Sequence, residues 1–150
     1  MAGKTRGYAH RIDIVAPPAS VWAGLLDPAL IARWMGPGAR VKAKLGGSYY
    51  VAPEGGFERE AHIDVFDRGR RLRLIYQHPA GLPEFDGAIV EDFLLEQEGE
   101  TTIVRLLGSG IPEGKPWDQY YMKLRFGWER SLARLKVLLE MKPRKDENTP

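Results

Sequence analysis

The last third of the chain carries one long hydrophobic stripe. Trp117, Tyr121, Leu124, Trp128, Leu132, Leu135 and Leu139 recur in steps of three and four, the spacing of one face of an α-helix. Lys123, Arg130 and Arg134 fall on the opposite side, and Glu129 lies on a flank. Pro116 suits a helix start, and from Trp117 to about Met141 such a helix would be roughly 37 Å long at 1.5 Å per residue. A helix that is apolar on one side only must lay that side on something. The rest of the chain offers mostly strands.

Tyr8 to Ala16 alternates, with Tyr8, His10, Ile12, Ile14 and Ala16 on one side and Arg11 and Asp13 on the other. Period two marks a half-buried strand. Pro17-Pro18 stops it and opens a short helix through Val21, Trp22 and Leu25; Asp27-Pro28 starts a second through Leu30, Ile31 and Trp34. Six strand candidates follow: Arg40 to Lys44, Ser48 to Ala52, Phe57 to Phe66, Arg71 to His78, Ala88 to Gln97 and Thr101 to Leu107. Turns such as Pro53-Glu54-Gly55-Gly56, Asp67-Arg68-Gly69 and Glu98-Gly99-Glu100 separate them, and a Pro- and Gly-rich loop spans Pro79 to Gly87. Strands joined by hairpins form an antiparallel sheet that twists and curls, and the long helix closes its concave side. The expected class is α+β.

Order and spacing together resemble a known family. The carrying segments are Ile14-Val15-Ala16-Pro17 with Val21-Trp22, Leu30 to Trp34, Gly46-Gly47-Ser48-Tyr49, Arg70-Arg71-Leu72, then Thr102, Val104 and Leu106, and finally Gly127-Trp128-Glu129-Arg130-Ser131-Leu132-Ala133-Arg134-Leu135-Lys136. They resemble the START/Bet v 1-like (SRPBCC) helix-grip superfamily, specifically the bacterial relatives of the C-terminal domain of the activator of Hsp90 ATPase. The resemblance implies a seven-stranded antiparallel sheet gripping the long helix, two short helices, and a cavity between sheet and helix. Members typically bind apolar or amphipathic small molecules; some are cyclases or aromatases, and a few act on chaperones. Fold alone does not choose among these.

Composition sets limits. With 150 residues, 43% of them hydrophobic, the chain suits one domain with a real core. We expect that domain over residues 1–141 and a disordered polar tail over 142–150, whose removal after Met141 should leave the melting temperature nearly unchanged. The absence of cysteine removes disulfides, thiolate metal sites and a cysteine nucleophile. No apolar run is long enough to span a membrane, the start has no signal-peptide apolar region, and a cytoplasmic location is expected. A net charge of +2 does not point to nucleic acid.

Assigning the more apolar side of each strand inward places Tyr49, Val51, Phe57, Ala61, Ile63, Val65, Leu72, Leu74, Tyr76, Ile89, Phe93, Leu95, Val104 and Leu106 toward the helix. Trp34, Tyr76, Tyr121 and Trp128 fit either a packed core or a cavity wall, and a buried tyrosine hydroxyl needs a partner that a ligand can supply. Two charges break the inward pattern: Arg59 between Phe57 and Ala61, and Glu91 between Ile89 and Phe93. A lone buried charge is costly, so the two are expected either to pair at a polar end of the cavity or to be turned into solvent by a β-bulge, Arg59 more readily than Glu91. The candidate ligand-binding set is Trp34, Tyr49, Val51, Ile63, Tyr76, Glu91, Phe93, Tyr121, Leu124 and Trp128.

Other polar features read more simply. Glu58, Glu60, His62 and Asp64 share one side of a strand, a row that could hold a metal but should face solvent, and no metal site is assigned. His10 suits a hydrogen-bonded core histidine and His78 the surface. Arg68, Arg70, Arg71 and Arg73 suit a solvated hairpin. No nucleophile elbow or phosphate loop occurs, and no cofactor is implied. Three functions follow: binding of an apolar or amphipathic small molecule, a cyclase- or hydrolase-type reaction using Glu91, Arg59 or Tyr76, and a module acting on a chaperone.

Overall fold

A computed structural model describes residues 3–141; the expectation for 142–150 lies outside them. The elements run β1 (Thr5–Ile14), α1 (Pro18–Leu26), α2 (Pro28–Trp34), β2 (Arg40–Val41), β3 (Ser48–Val51), β4 (Arg59–Asp67), β5 (Arg71–Tyr76), β6 (Ile89–Glu98), β7 (Thr101–Pro112) and α3 (Lys115–Glu140). Each helix has proline in its first turn, where a missing N–H costs nothing. Asp27 caps α2 by accepting the Ala29 N–H at 2.9 Å.

The strands form one antiparallel sheet in the order β1-β7-β6-β5-β4-β3-β2. Strands β2 to β7 are therefore a meander, and β1 returns to pair with β7. This is the α+β helix-grip arrangement the resemblance implied. The helices and one sheet face enclose a core that includes Trp34, Tyr49, Leu72, Leu74, Phe93, Leu106, Leu132 and Leu135.

Several boundaries differ from the sequence expectations, each for a local reason. β7 does not stop at Leu107 but continues through Gly108 and Gly110 to Pro112. Gly108 lies under the Tyr8 ring, and Gly110, at φ +87°, approaches the Ala88 carbonyl too closely for a Cβ. The longer β7 carries β1 back to Thr5, with a register shift between Arg6 and Tyr8. β2 is only two residues and β4 begins at Arg59. A shift in β4 between Ile63 and Val65 places Val65 opposite Arg73 and Phe66 opposite the buried Leu72. Phe66, not Val65, therefore packs inward, its ring 5.3 Å from that of Trp22. The α3 stripe enters the core through Trp117 and Tyr120. Tyr121 is only half-buried; its hydroxyl donates to the Gly7 carbonyl at 2.9 Å and the Arg6 guanidinium sits over its ring.

Candidate functional site

Alternation on β6 points Glu91 into the core, where its exposure is 0%. Arg59 is turned inward by the same alternation on β4 and is 5% exposed. The β4 bulge falls beyond Arg59, so neither charge is flipped outward, and Arg59 Nη1 donates to Glu91 Oε2 at 2.8 Å. Three further donors converge on the carboxylate. Tyr76 hydroxyl donates to Oε1 at 2.7 Å; Tyr8 hydroxyl and Trp128 Nε1 donate to Oε2 at 2.5 and 2.7 Å. One carboxylate thus ties together β1, β4, β5, β6 and α3. A buried charge is tolerable only when paired and hydrogen-bonded in this way.

Glycine makes one of those arms possible. Gly108 is paired with Tyr8 on one side and with Glu91 on the other. A Cβ at Gly108 would overlap the Tyr8 ring, so the bare backbone lets that ring cross β7 and reach Glu91. The alternation of the first strand puts Tyr8 on its apolar side, and a buried hydroxyl in need of a partner is the signal that points beyond packing.

The electrostatics fix the roles. Burial, reinforced by Glu91, pushes the hydroxyls of Tyr8 and Tyr76 well above the ordinary tyrosine pKa, so both remain protonated donors. For Arg59, burial works against the charge, but Glu91 together with Tyr76, Tyr120 and Tyr8 outweighs it and the guanidinium is held well above its usual value. The guanidinium also stacks 3.7 Å above the Tyr76 ring. Among the described residues its Nε and Nη2 have no partner.

Arg59 borders two clefts. One, of about 70 Å³, lies between the β3–β4 loop and α3; Met35, Val51, Phe57, Leu124 and Trp128 form its apolar wall, and Glu54, Lys123, Arg130, Ser131 and Arg134 also line it. The other, of about 190 Å³, is lined by Tyr50, Glu58, Glu60, Tyr76, His78 and Tyr120. Of the candidate residues, Val51, Leu124 and Trp128 line the first and Tyr76 the second. Trp34, Tyr49, Ile63 and Phe93 are packed in the core: Trp34 Nε1 donates to the Gly24 carbonyl at 2.9 Å and Tyr49 hydroxyl to that of Leu25 at 2.7 Å. Glu91 borders neither cleft, being enclosed by its own donors, and Tyr121 sits apart beside Gly7. Nothing local marks Met35, just past α2, or Lys123, Arg130 and Arg134 on α3 as facing a loop from another hairpin.

The remaining polar candidates sit outside the core. Glu58, Glu60, His62 and Asp64 are all exposed, and no three His, Cys, Asp or Glu side chains gather as metal ligands among the described residues. Of the four arginines around the β4–β5 turn, Arg68 and Arg70 are exposed and two are tied to β6: Arg71 Nε and Nη2 each donate to Asp92 at 2.9 Å, and Arg73 Nε donates to it at 3.1 Å. His10 is half-buried against Tyr8, and its Nε2 has no partner among the described residues.

A family model described as Activator of Hsp90 ATPase homolog 1-like protein matches residues 15–140. The chain belongs to this family. In fold it is similar to protein MLL2253 from Mesorhizobium loti, with 22% identity, a TM-score of 0.78 and coverage of 93% of this chain and 100% of that one. It is also similar to the Aha1 dimer from Colwellia psychrerythraea, with 20% identity, a TM-score of 0.76 and coverage of 93% and 99%. CalU16 from Micromonospora echinospora gives 23% identity, a TM-score of 0.70 and coverage of 96% and 80%. At such identities the likeness is one of fold. No curated protein matches the sequence. No helix among the described residues is long and apolar enough to cross a membrane.

Proposed function

We propose that this Activator of Hsp90 ATPase homolog 1-like protein binds a small amphipathic molecule in the cleft between the β3–β4 loop and α3. The observation that carries this reading is the pairing of an apolar wall, from Met35, Val51, Phe57, Leu124 and Trp128, with one buried and incompletely partnered polar group, Arg59. Ligand sites are commonly of this kind, mostly apolar with a few placed polar groups. A cleft of about 70 Å³ admits the head of a ligand and the first atoms of its chain. The proposed setting is the cytoplasm, in keeping with a chain that contains no cysteine.

Glu91 has no part in chemistry under this reading, because all four of its close donors belong to the protein. A thermal-shift screen of aromatic and fatty compounds tests the proposal, with tryptophan fluorescence reporting on Trp128. A ligand at a hundredfold excess over its dissociation constant should stabilise the fold by about 2.7 kcal/mol. Leu124→Trp, which fills the cleft, should abolish the shift. A screen in which no compound raises the melting temperature would count against the reading.

A further inference from the structure

We infer that the cleft selects carboxylates, and that the Nε and Nη2 edge of Arg59 is the group that receives them. The inference rests on the binding site proposed above and names what that site prefers.

An arginine presents two parallel N–H bonds along its Nε–Nη2 edge, and that edge matches the two oxygens of a carboxylate. This protein uses the edge twice in plain view. Arg71 Nε and Nη2 hold the two oxygens of Asp92 at 2.9 Å each, and Arg11 Nε and Nη2 hold those of Asp13 at 2.9 and 3.1 Å. On Arg59, which lines the cleft, the same two atoms are buried and, among the described residues, unpartnered; water does not reach them in this packing, so a carboxylate engages them only as a side chain of the cleft wall gives way. Its remaining nitrogen, Nη1, is committed to Glu91, and Glu91 is in turn held by Tyr8, Tyr76 and Trp128. The network therefore fixes the guanidinium while leaving its carboxylate-matching edge unused. Leaving a buried charged donor unsatisfied is costly, and a ligand carboxylate removes that cost where an alcohol satisfies it only in part.

Charge decides which of the two clefts admits the anion. Beside Arg59, the cleft against α3 is lined by Lys123, Arg130 and Arg134 with only Glu54 opposing them. The other cleft adds Glu58 and Glu60 and no further Lys or Arg. Anions are steered to the first and away from the second. The apolar wall then sorts among acids, favouring those with a hydrocarbon or aromatic body next to the carboxylate.

Isothermal titration of the full chain with octanoate, octanol and octylammonium provides the test. Octanoate should bind about tenfold more tightly than octanol, or better, the worth of one charge-assisted hydrogen bond, and octylammonium more weakly than either. Arg59→Lys keeps a cation beside Glu91 but loses the parallel N–H pair, and should bring octanoate down to the affinity of octanol. If that variant does not fold, the Arg59 Nε–H resonance of the unmodified protein answers the same question: octanoate should move it and octanol should not. Equal affinity for octanoate and octanol, with that resonance unmoved, overturns the inference and leaves the proposed amphiphile site standing. Selectivity that survives Arg59→Lys but is lost in Arg130→Gln/Arg134→Gln assigns the anion to the rim and also overturns it. Binding of none of the three compounds overturns both.

Discussion

The indole Nε1 of Trp128 donates to Glu91 Oε2 at 2.7 Å, a single bond that fastens the C-terminal helix to the middle of the sheet. Trp128 is 6% exposed and packs its ring against those of Trp34 and Phe93. Two effects can thus be separated. Trp128→Phe retains most of the ring packing and removes one donor from a buried carboxylate, which should cost about 1.5–3 kcal/mol. Trp128→Ala also opens a cavity and should cost about 3–5 kcal/mol. Urea melts of both variants check the order; a loss below about 1 kcal/mol for Trp128→Ala would mean that the ring borders open space instead.

Two glycines should respond to alanine in opposite directions. Gly108→Ala drives a methyl into the Tyr8 ring and should destabilise the protein by about 1–3 kcal/mol. The penalty should shrink in a Tyr8→Ala background, where the ring is gone. Gly127 lies inside α3, and a Cβ there meets no atom within 4 Å. Gly127→Ala should therefore stabilise by about 0.5–1 kcal/mol through helix propensity. Chemical melts of the single and double variants supply the comparison.

Glu91→Gln should be among the most damaging conservative substitutions in the chain. It removes the partner charge of Arg59, whose side chain is 3% exposed. Breaking one half of a buried ion pair costs about 3–5 kcal/mol. Replacing both, as Arg59→Met/Glu91→Gln, should recover a large part of that loss, because no lone charge is then left buried and the amide oxygen still accepts from Tyr8, Tyr76 and Trp128. A double-mutant cycle measured by urea unfolding would show additive losses if the two side chains did not interact.

Acid should weaken the fold in two stages. Burial holds His10 below its ordinary pKa. A group depressed in the folded state adds stability that is complete above its unfolded pKa, ~6.5 for histidine, and is lost as the pH falls through the folded value. Asp92 acts in the same sense at lower pH: burial pushes it up, but hydrogen bonds from Arg71 and Arg73 outweigh this and hold it below the usual carboxylate range. Its contribution is therefore present above the unfolded aspartate pKa and disappears below the folded one. In urea midpoints measured against pH, His10→Gln should flatten the upper stage and Asp92→Asn the lower. An unchanged profile in both variants would place the acid sensitivity elsewhere.

The sequence by itself determined the order of elements, the class of fold and the inward side of most strands, because periods of two and of three to four are local properties that each segment carries alone. It also showed that Arg59 and Glu91 break an apolar row. Tertiary structure decided the rest. Whether those charges meet depends on where the β4 shift falls: it lies beyond Ile63 and so leaves Arg59 inward. Tyr8 reaches Glu91, 83 residues away, only because an intervening strand has glycine at the crossing point. Tyr120 rather than Tyr121 enters the core, a choice of one helical step set by how α3 lies on the sheet and not by its own stripe. The cleft, too, is bounded by a hairpin loop and a helix that are distant in the chain. Local patterning says which side of a segment seeks an apolar environment; which partners it finds there is fixed by register, bulges and the docking of the helix, and those depend on every element at once.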